Sequence, residues 1–150
     1  MEKYLTPEGL EKFKKELAEL KNVKRKEIAQ RIKYAASFGD LSENFSYQQA
    51  KDDQGFLERR ILELEKIISQ AKVIERGDGK KVQIGSVVTV SINNKKQKIQ
   101  IVEPEEVSFQ ESKISFKSPL GEALMGKSAG KIINVQTPAG KMQYKIIEIR

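Results

Sequence analysis

The sequence predicts an α+β protein in two parts: an N-terminal antiparallel two-helix coiled coil, then an antiparallel sheet packed on one short helix. Three observations predict this. Apolar residues recur at spacings of three and four up to about residue 75. Beyond it, β-branched residues dominate in short runs separated by turn residues. Between the two lies ERGDGKK, with two glycines and mixed charge, which reads as a linker or turn. The expected domains are therefore 1–76 and 77–150.

The first helix starts at Thr6-Pro7, Thr as N-cap and Pro in the first helical position. Leu10, Phe13, Leu17 and Leu20 form its stripe, which then shifts to Val23, Ile28, Ile32 and Ala35. In the second helix Tyr47, Ala50, Gln54, Leu57, Ile61, Leu64, Ile68 and Ala71 alternate spacings of three and four, a heptad seam with one polar position. SFGDLSEN, residues 37–44, separates the two runs; Gly39 breaks the helix, and Asp, Ser and Asn favour turns and caps. A short connection folds the helices back on each other, with Leu17 facing the Leu64 level and Ile32 the Ala50 level. Each helix is about 28 residues, roughly 42 Å long, and the pair is expected to be an arm with 37–44 at its tip.

In the second part Ile84–Val90, Ile99–Val102, Ile114–Phe116, Ile132–Gln136 and Met142–Ile149 are the expected strands. Asn93-Asn94 and Pro138-Ala139-Gly140 are hairpin turns. Ser118-Pro119 starts a short helix with Leu120, Ala123 and Leu124 on its apolar face, and Gly126 ends it.

Composition narrows the chemistry. The 150 residues contain no Cys and no His, which excludes a disulfide framework, thiolate zinc sites, and Ser-His-Asp or Cys-His catalysis. The start, MEKYLTPEG, lacks the apolar run of a secretory signal, and no stretch approaches a membrane span, so a cytoplasmic protein is expected. With 28 Lys+Arg against 21 Asp+Glu, the net charge of +7 points to an anionic partner. Residues 77–150 carry most of that excess, 12 basic against 7 acidic. Gly77 and Gly79 lack the spacing and lysine of a phosphate loop.

Any chemistry falls to carboxylates. Asp40 and Glu43, three apart in the tip, fit two readings. Asp-x-x-Glu is a capping-box pattern at a helix start. Alternatively, two exposed acids at a tip are half of a Mg²⁺ site, completed by a partner, because Mg²⁺ takes six oxygens. Glu103, Glu105 and Glu106 read as a solvated loop near a proline. KNVKRKEIAQRIK, residues 21–33, holds six basic residues and one acid: singly a solvated helix face, together a match for a phosphate backbone. Phe38 and Phe45 flank the tip and are expected to pack under the turn; the alternative is contact with a partner surface or a base.

Three stretches carry a family resemblance: YLTPEGLEKFKKELAEL, GDLSENFSYQQAKDDQGFLERRI, and SPLGEALMGKSAGK followed by TPAGKMQYKIIEI. In their order and spacing the chain resembles the bacterial GreA/GreB transcript cleavage factor family over nearly its whole length. The resemblance implies a coiled-coil arm and an FKBP-like C-terminal domain that binds RNA polymerase near the mouth of its secondary channel. It implies that the arm delivers its acidic tip to the polymerase active site when polymerase has backtracked and the RNA 3′ end is extruded. Polymerase then cuts the RNA, so the protein is a trans-acting activator and not itself an enzyme. Asp40 and Glu43 match the family's metal-and-water acids, sharing Mg²⁺ with polymerase aspartates; Ser42 would support them by hydrogen bonding, and Leu41 and Asn44 would shape the turn. The family's RNA-contacting basic patch maps to Lys24, Arg31, Lys33 and Lys51. Pro119, Leu120, Leu124 and Met125 are the expected polymerase-contacting residues, and a monomer is expected when free.

Leu41 and Gln54-Gly55-Phe56 are typical of the GreA branch, while the basic arm and Ala35-Ala36-Ser37 are GreB-like, from which longer extruded RNA is expected to be handled. Phe45-Ser46 departs from the family, which reads Ala and then an acid there. Some relatives enter the same channel and inhibit; they carry extra tip acids, which this chain lacks. A prolyl isomerase would need an aromatic-lined pocket, but residues 77–150 hold only Phe109, Phe116 and Tyr144 as aromatics. A simple RNA-binding coiled coil would bind free RNA without polymerase and without need of Asp40.

Overall fold

In the computed structural model, which describes residues 2–75 and 79–150, the chain enters as a short strand β1 (Lys3–Leu5) and turns directly into helix. Thr6 is the N-cap: its hydroxyl accepts from the Gly9 N–H at 3.0 Å. Helix α1 (Pro7–Glu19) runs through a π-helical turn (Leu20–Lys24) into α2 (Arg25–Ala36), and α3 (Phe45–Gln70) returns. Strand β2 (Ala71–Val73) then pairs parallel with β1, in register Lys3↔Ala71 to Leu5↔Val73.

The chain divides into two compact units, Leu10–Gln70 and Met1–Gly9 with Ala71–Arg150. The boundary expected at 76/77 lies outside the described residues. The compact units group residues 1–9 with 71–150: β1 pairs with β2, and Tyr4 and Thr6 bond Glu103 and Glu106.

In the helical unit, Phe13, Ala35, Ala50, Leu57, Ile61, Leu64 and Ile67 are buried. The seam matches its spacing as far as Leu64; then Ile67 takes the inward place and Ile68 is only half-buried. Val23, placed on the stripe by its spacing, is 44 % exposed. It lies in the π-helical turn, whose extra residue rotates the following face by part of a turn. Ion pairs Glu16–Arg60, Arg25–Glu58 and Arg31–Asp53, at 2.8–2.9 Å, mark the antiparallel register. No helix among the described residues is long and apolar enough to cross a membrane.

The second unit holds β3 (Val87–Ile92), β4 (Lys95–Val102), β5 (Lys113–Ser115), α4 (Pro119–Leu124), β6 (Ile132–Thr137) and β7 (Gly140–Ile149), with sheet order β5-β4-β3-β7-β6. The sheet is mixed, which corrects the all-antiparallel expectation: β4 and β5 run parallel at one edge. After Val102 the chain turns through a 3-10 turn (Pro104–Glu106) and crosses back, instead of closing a hairpin. The strand expected from Ile84 starts only at Val87, after a bend at Gly85. Asn93 and Asn94 both have positive φ, 51° and 64°, as a two-residue hairpin turn requires. Val88, Val90, Ile99, Ile101, Leu124, Ile133, Val135 and Ile146 make the core.

Glu103 and Glu106 are buried, at 4 % and 7 % exposure, and not part of a solvated loop. Glu103 accepts from the Tyr4 N–H at 3.2 Å, and Lys3 lies 3.0 Å from Glu105. Glu106 accepts from the Thr6 N–H at 2.9 Å and from the Thr6 hydroxyl. In a capping box, the N-cap N–H is taken by a carboxylate three residues on. That position here is Gly9, and Glu106, a hundred residues away in sequence, supplies the carboxylate instead. A free donor at the helix start explains why Glu106 is drawn inward, while Glu103 takes the N–H of Tyr4 in β1.

Candidate functional site

The tip is built by four residues with special backbone or capping roles. After Ala36 the helix unwinds, with the Gly39 N–H on the Ala36 carbonyl at 3.0 Å. Gly39 and Asp40 both take positive φ, 76° and 53°, which reverses the chain in two residues. Glycine adopts this freely, and Asp is among the few other residues that tolerate it. The Glu43 N–H then bonds the Asp40 carbonyl at 3.0 Å, closing a turn with Leu41 and Ser42 in its centre.

Asn44 ties the loop to both helices. Its Oδ1 accepts from the Tyr47 N–H at 3.1 Å, capping α3, and its Nδ2 donates to the Ala35 carbonyl at 2.6 Å and the Gly39 carbonyl at 3.4 Å. Gln48 Nε2 donates to the Leu41 carbonyl at 3.0 Å. The capping-box reading of Asp40 and Glu43 is thereby corrected: the cap is Asn44, and both acids precede the helix. Their side chains are exposed, and neither has a hydrogen bond or ion pair among the described residues. The Ser42 hydroxyl makes no hydrogen bond among them either.

A metal test follows from the donor set. No group of three or more acidic side chains that could hold a metal ion occurs among the described residues. Two unengaged carboxylates in one closed turn fit a hard cation as partial ligands, with the remaining oxygens coming from outside the chain.

Phe38 and Phe45 do not pack under the turn; they are 70 % and 79 % exposed. The loop is held by the Asn44 and Gln48 amides, so no ring is needed beneath it. Tyr34, which spacing did not single out, is 70 % exposed and meets Phe38 edge-on at 5.1 Å. Its signal in the sequence is an aromatic one residue off the buried Ala35 position.

The basic candidates are unequally engaged. Arg31 bonds Asp53 at 2.9 Å, Lys24 lies 3.6 Å from Glu27, and Lys51 donates to Gln54 at 3.1 Å. Lys33 has no anionic partner among the described residues. The Arg31–Asp53 register brings Arg31, Lys33 and Lys51 to one level of the hairpin; Lys24 lies about two helical turns away. The Arg31 guanidinium, and next the Gln49 amide, hold the Asp53 carboxyl below the usual carboxylate range.

In the other unit, Leu124 is fully buried, so it belongs to the core and not to a contact surface. It lies on the inward side of α4, against the sheet. Pro119 is exposed, and Leu120 and Met125 are partly buried. Ser118 caps α4 by accepting from the Gly121 N–H at 3.1 Å.

Comparison with known proteins accounts for both units. A family described as "Transcription elongation factor, N-terminal" matches residues 3–73, and one described as "Transcription elongation factor, GreA/GreB, C-term" matches residues 77–150. The chain is 46 % identical to transcription elongation factor GreA of Thermosipho africanus, with 98 % of this chain and 96 % of that protein covered. It is 47 % identical to the GreA of Caldanaerobacter subterraneus subsp. tengcongensis, with 97 % and 96 % covered. Among solved structures, GreA factor homolog 1 of Thermus thermophilus aligns over 100 % of this chain and 99 % of its own at 28 % identity, with a TM-score of 0.47. Matched along both units and at such identity over nearly its full length, the chain belongs to the GreA/GreB family of transcription elongation factors.

Proposed function

We propose that this protein enters the secondary channel of bacterial RNA polymerase in the cytoplasm and stimulates endonucleolytic cleavage of the extruded RNA 3′ end in backtracked complexes. One observation carries the reading: Asp40 and Glu43 sit in a closed, exposed turn and are committed to nothing else among the described residues. Glu106 and Asp53, by contrast, are engaged by Thr6 and Arg31.

The chain supplies position and charge, and the catalytic centre is the polymerase's own. Asn44 and Gln48 hold the backbone of the turn, so the positions that carry the two carboxylates are preorganised and only side-chain rotamers remain to be fixed on docking. Asp40 and Glu43 would hold a Mg²⁺ together with polymerase carboxylates, and that ion supplies Lewis-acid stabilisation of charge on the scissile phosphate. A carboxylate oxygen of the pair also orients the attacking water. Pro119, with the exposed parts of Leu120 and Met125, is the surface we assign to polymerase, and the free protein is a monomer.

The test is RNA cleavage in a stalled, backtracked elongation complex with Mg²⁺. Wild type should cleave, and Asp40→Ala and Glu43→Ala should each lose activity while binding polymerase as wild type does. Wild-type binding without cleavage would replace this reading with that of a channel-binding inhibitor.

A further inference from the structure

We propose that Tyr34, Phe38 and Phe45 form a stacking site for one unpaired nucleobase of RNA, placed on the hairpin beside the acidic turn. The proposal rests on the reading above for the source of the strand, the extruded 3′ end.

The three rings belong to one cleft of about 430 Å³, shared with Arg31, Ser46 and Gln49. Each is at least 70 % exposed, and Tyr34 and Phe38 already hold an edge-on pair. Three large aromatics collected on one exposed surface are not explained by core packing: Ala35 and Ala50 beside them are buried, and the rings are not.

The chemistry of the lining selects the occupant. Apart from the rings, its only hydrocarbon side chains are Ala35 and Ala50, so it lacks the aliphatic wall that would seat an apolar protein helix. One cation, Arg31, lines it, and Lys33 precedes Tyr34 in the chain. Helix α2 carries Arg25, Lys26, Arg31 and Lys33 against the single acid Glu27. Arg31 lines the cleft with its charge offset by Asp53, and Lys33 is unpaired among the described residues. Ring faces for bases with cations for the backbone are the combination that binds single-stranded nucleic acid. Ser46 and the Gln49 Oε1 are uncommitted polar groups for a base edge; the Gln49 amide nitrogen is on Asp53 at 3.1 Å. Stacking reads a π-face, which every base has, so the site accepts any base. One base held on the rings leaves the adjoining phosphates within reach of the acidic turn, which begins two residues after Phe38 and ends two before Phe45.

The experiment uses a polymerase complex backtracked by a short distance, with 2-aminopurine as the extruded 3′ base. Titrating in Asp40→Ala/Glu43→Ala protein, which leaves the RNA uncut, should quench the fluorophore by stacking. Adding Tyr34→Ala, Phe38→Ala and Phe45→Ala should abolish the quenching. In the wild-type background the same triple substitution should raise the factor concentration for half-maximal cleavage about tenfold. Replacing the 3′ nucleotide with an abasic one should cost wild type the same factor and the triple variant nothing further. Circular dichroism of each variant checks the helices, and Phe45→Trp should restore quenching. Cleavage by wild type with no quenching overturns the stacking site and leaves the functional reading intact; quenching without cleavage does the reverse. A triple variant weakened equally on normal and abasic RNA, with reduced polymerase affinity, assigns the rings to a protein contact and overturns the proposal.

Discussion

Replacing Gly9 by alanine should destabilise this protein, although alanine is the better helix former and the site is the first turn of a helix. A Cβ on Gly9 would lie 1.7 Å from Glu106 Oε1, 2.4 Å from its Cδ and 3.0 Å from Thr6 Oγ1. The Glu106 carboxylate must therefore leave. It then gives up the Thr6 N–H and the Thr6 hydroxyl, two hydrogen bonds at a site only 7 % exposed. Hydrogen bonds to a charged group contribute about 1.5–3 kcal/mol each, so about 3–6 kcal/mol is lost. The change from Gly to Ala in a helix returns about 1 kcal/mol. The net expectation is a loss of about 2–5 kcal/mol, or roughly 4–20 °C in the melting temperature of a chain this size. Calorimetry of the full chain reads it. The decisive arm repeats the substitution in Glu106→Ala protein, where no carboxylate opposes the new methyl and Gly9→Ala should be neutral or stabilising by about 1 kcal/mol. Equal losses in both backgrounds, or a wild-type background that gains stability, would refute the shared capping arrangement.

Two further outcomes follow from the helical unit. Asn44→Ala should loosen the tip by about 1–2 kcal/mol, seen as faster hydrogen exchange at the Tyr47 amide, and Asn44→Asp should fall between it and wild type because the cap survives while the donor to Ala35 is lost. Unchanged exchange in Asn44→Ala would remove Asn44 as the tie between the helices. Asp53 titrates below its ordinary value of 3.8 because Arg31 and then Gln49 bond its charged form. Its contribution to stability is therefore whole above that ordinary value and is lost as pH falls through the lower folded value. An NMR titration of the Asp53 carboxyl should show its midpoint rising in Arg31→Gln, and an unmoved midpoint would discount the ion pair.

Much of the hairpin was readable because its information is local. The spacing from Ala50 to Leu64 names the buried face of α3, and in the sheet Asn93-Asn94 names the turn between β3 and β4. The shift of the first stripe at Val23 marked the π-helical turn without explaining it. The tip was read half correctly. Gly39 broke the helix as expected, but Asp40 and Glu43 share a pattern with helix caps, and only the position of Asn44 in space separates the two readings. Three-residue strands such as β1 and β2 are too short for periodicity to register, and they exist through each other. The parallel edge strand and the burial of Glu103 and Glu106 were missed for a related reason.

By itself the sequence determined the two-part α+β organisation, the exclusion of Cys and His chemistry, the helical hairpin with its acidic turn, and the family. Each of these depends on residue type or on spacings within a few turns of chain, where backbone preference and amphipathic period act directly. Only the tertiary structure decided that Glu106 completes the cap of a helix a hundred residues away, that Leu124 is core, and that Tyr34, Phe38 and Phe45 share one exposed cleft. Those outcomes rest on which groups meet across long stretches of sequence. A carboxylate or a ring has no fixed role until the fold decides whether a donor, a solvent face or another ring stands opposite it.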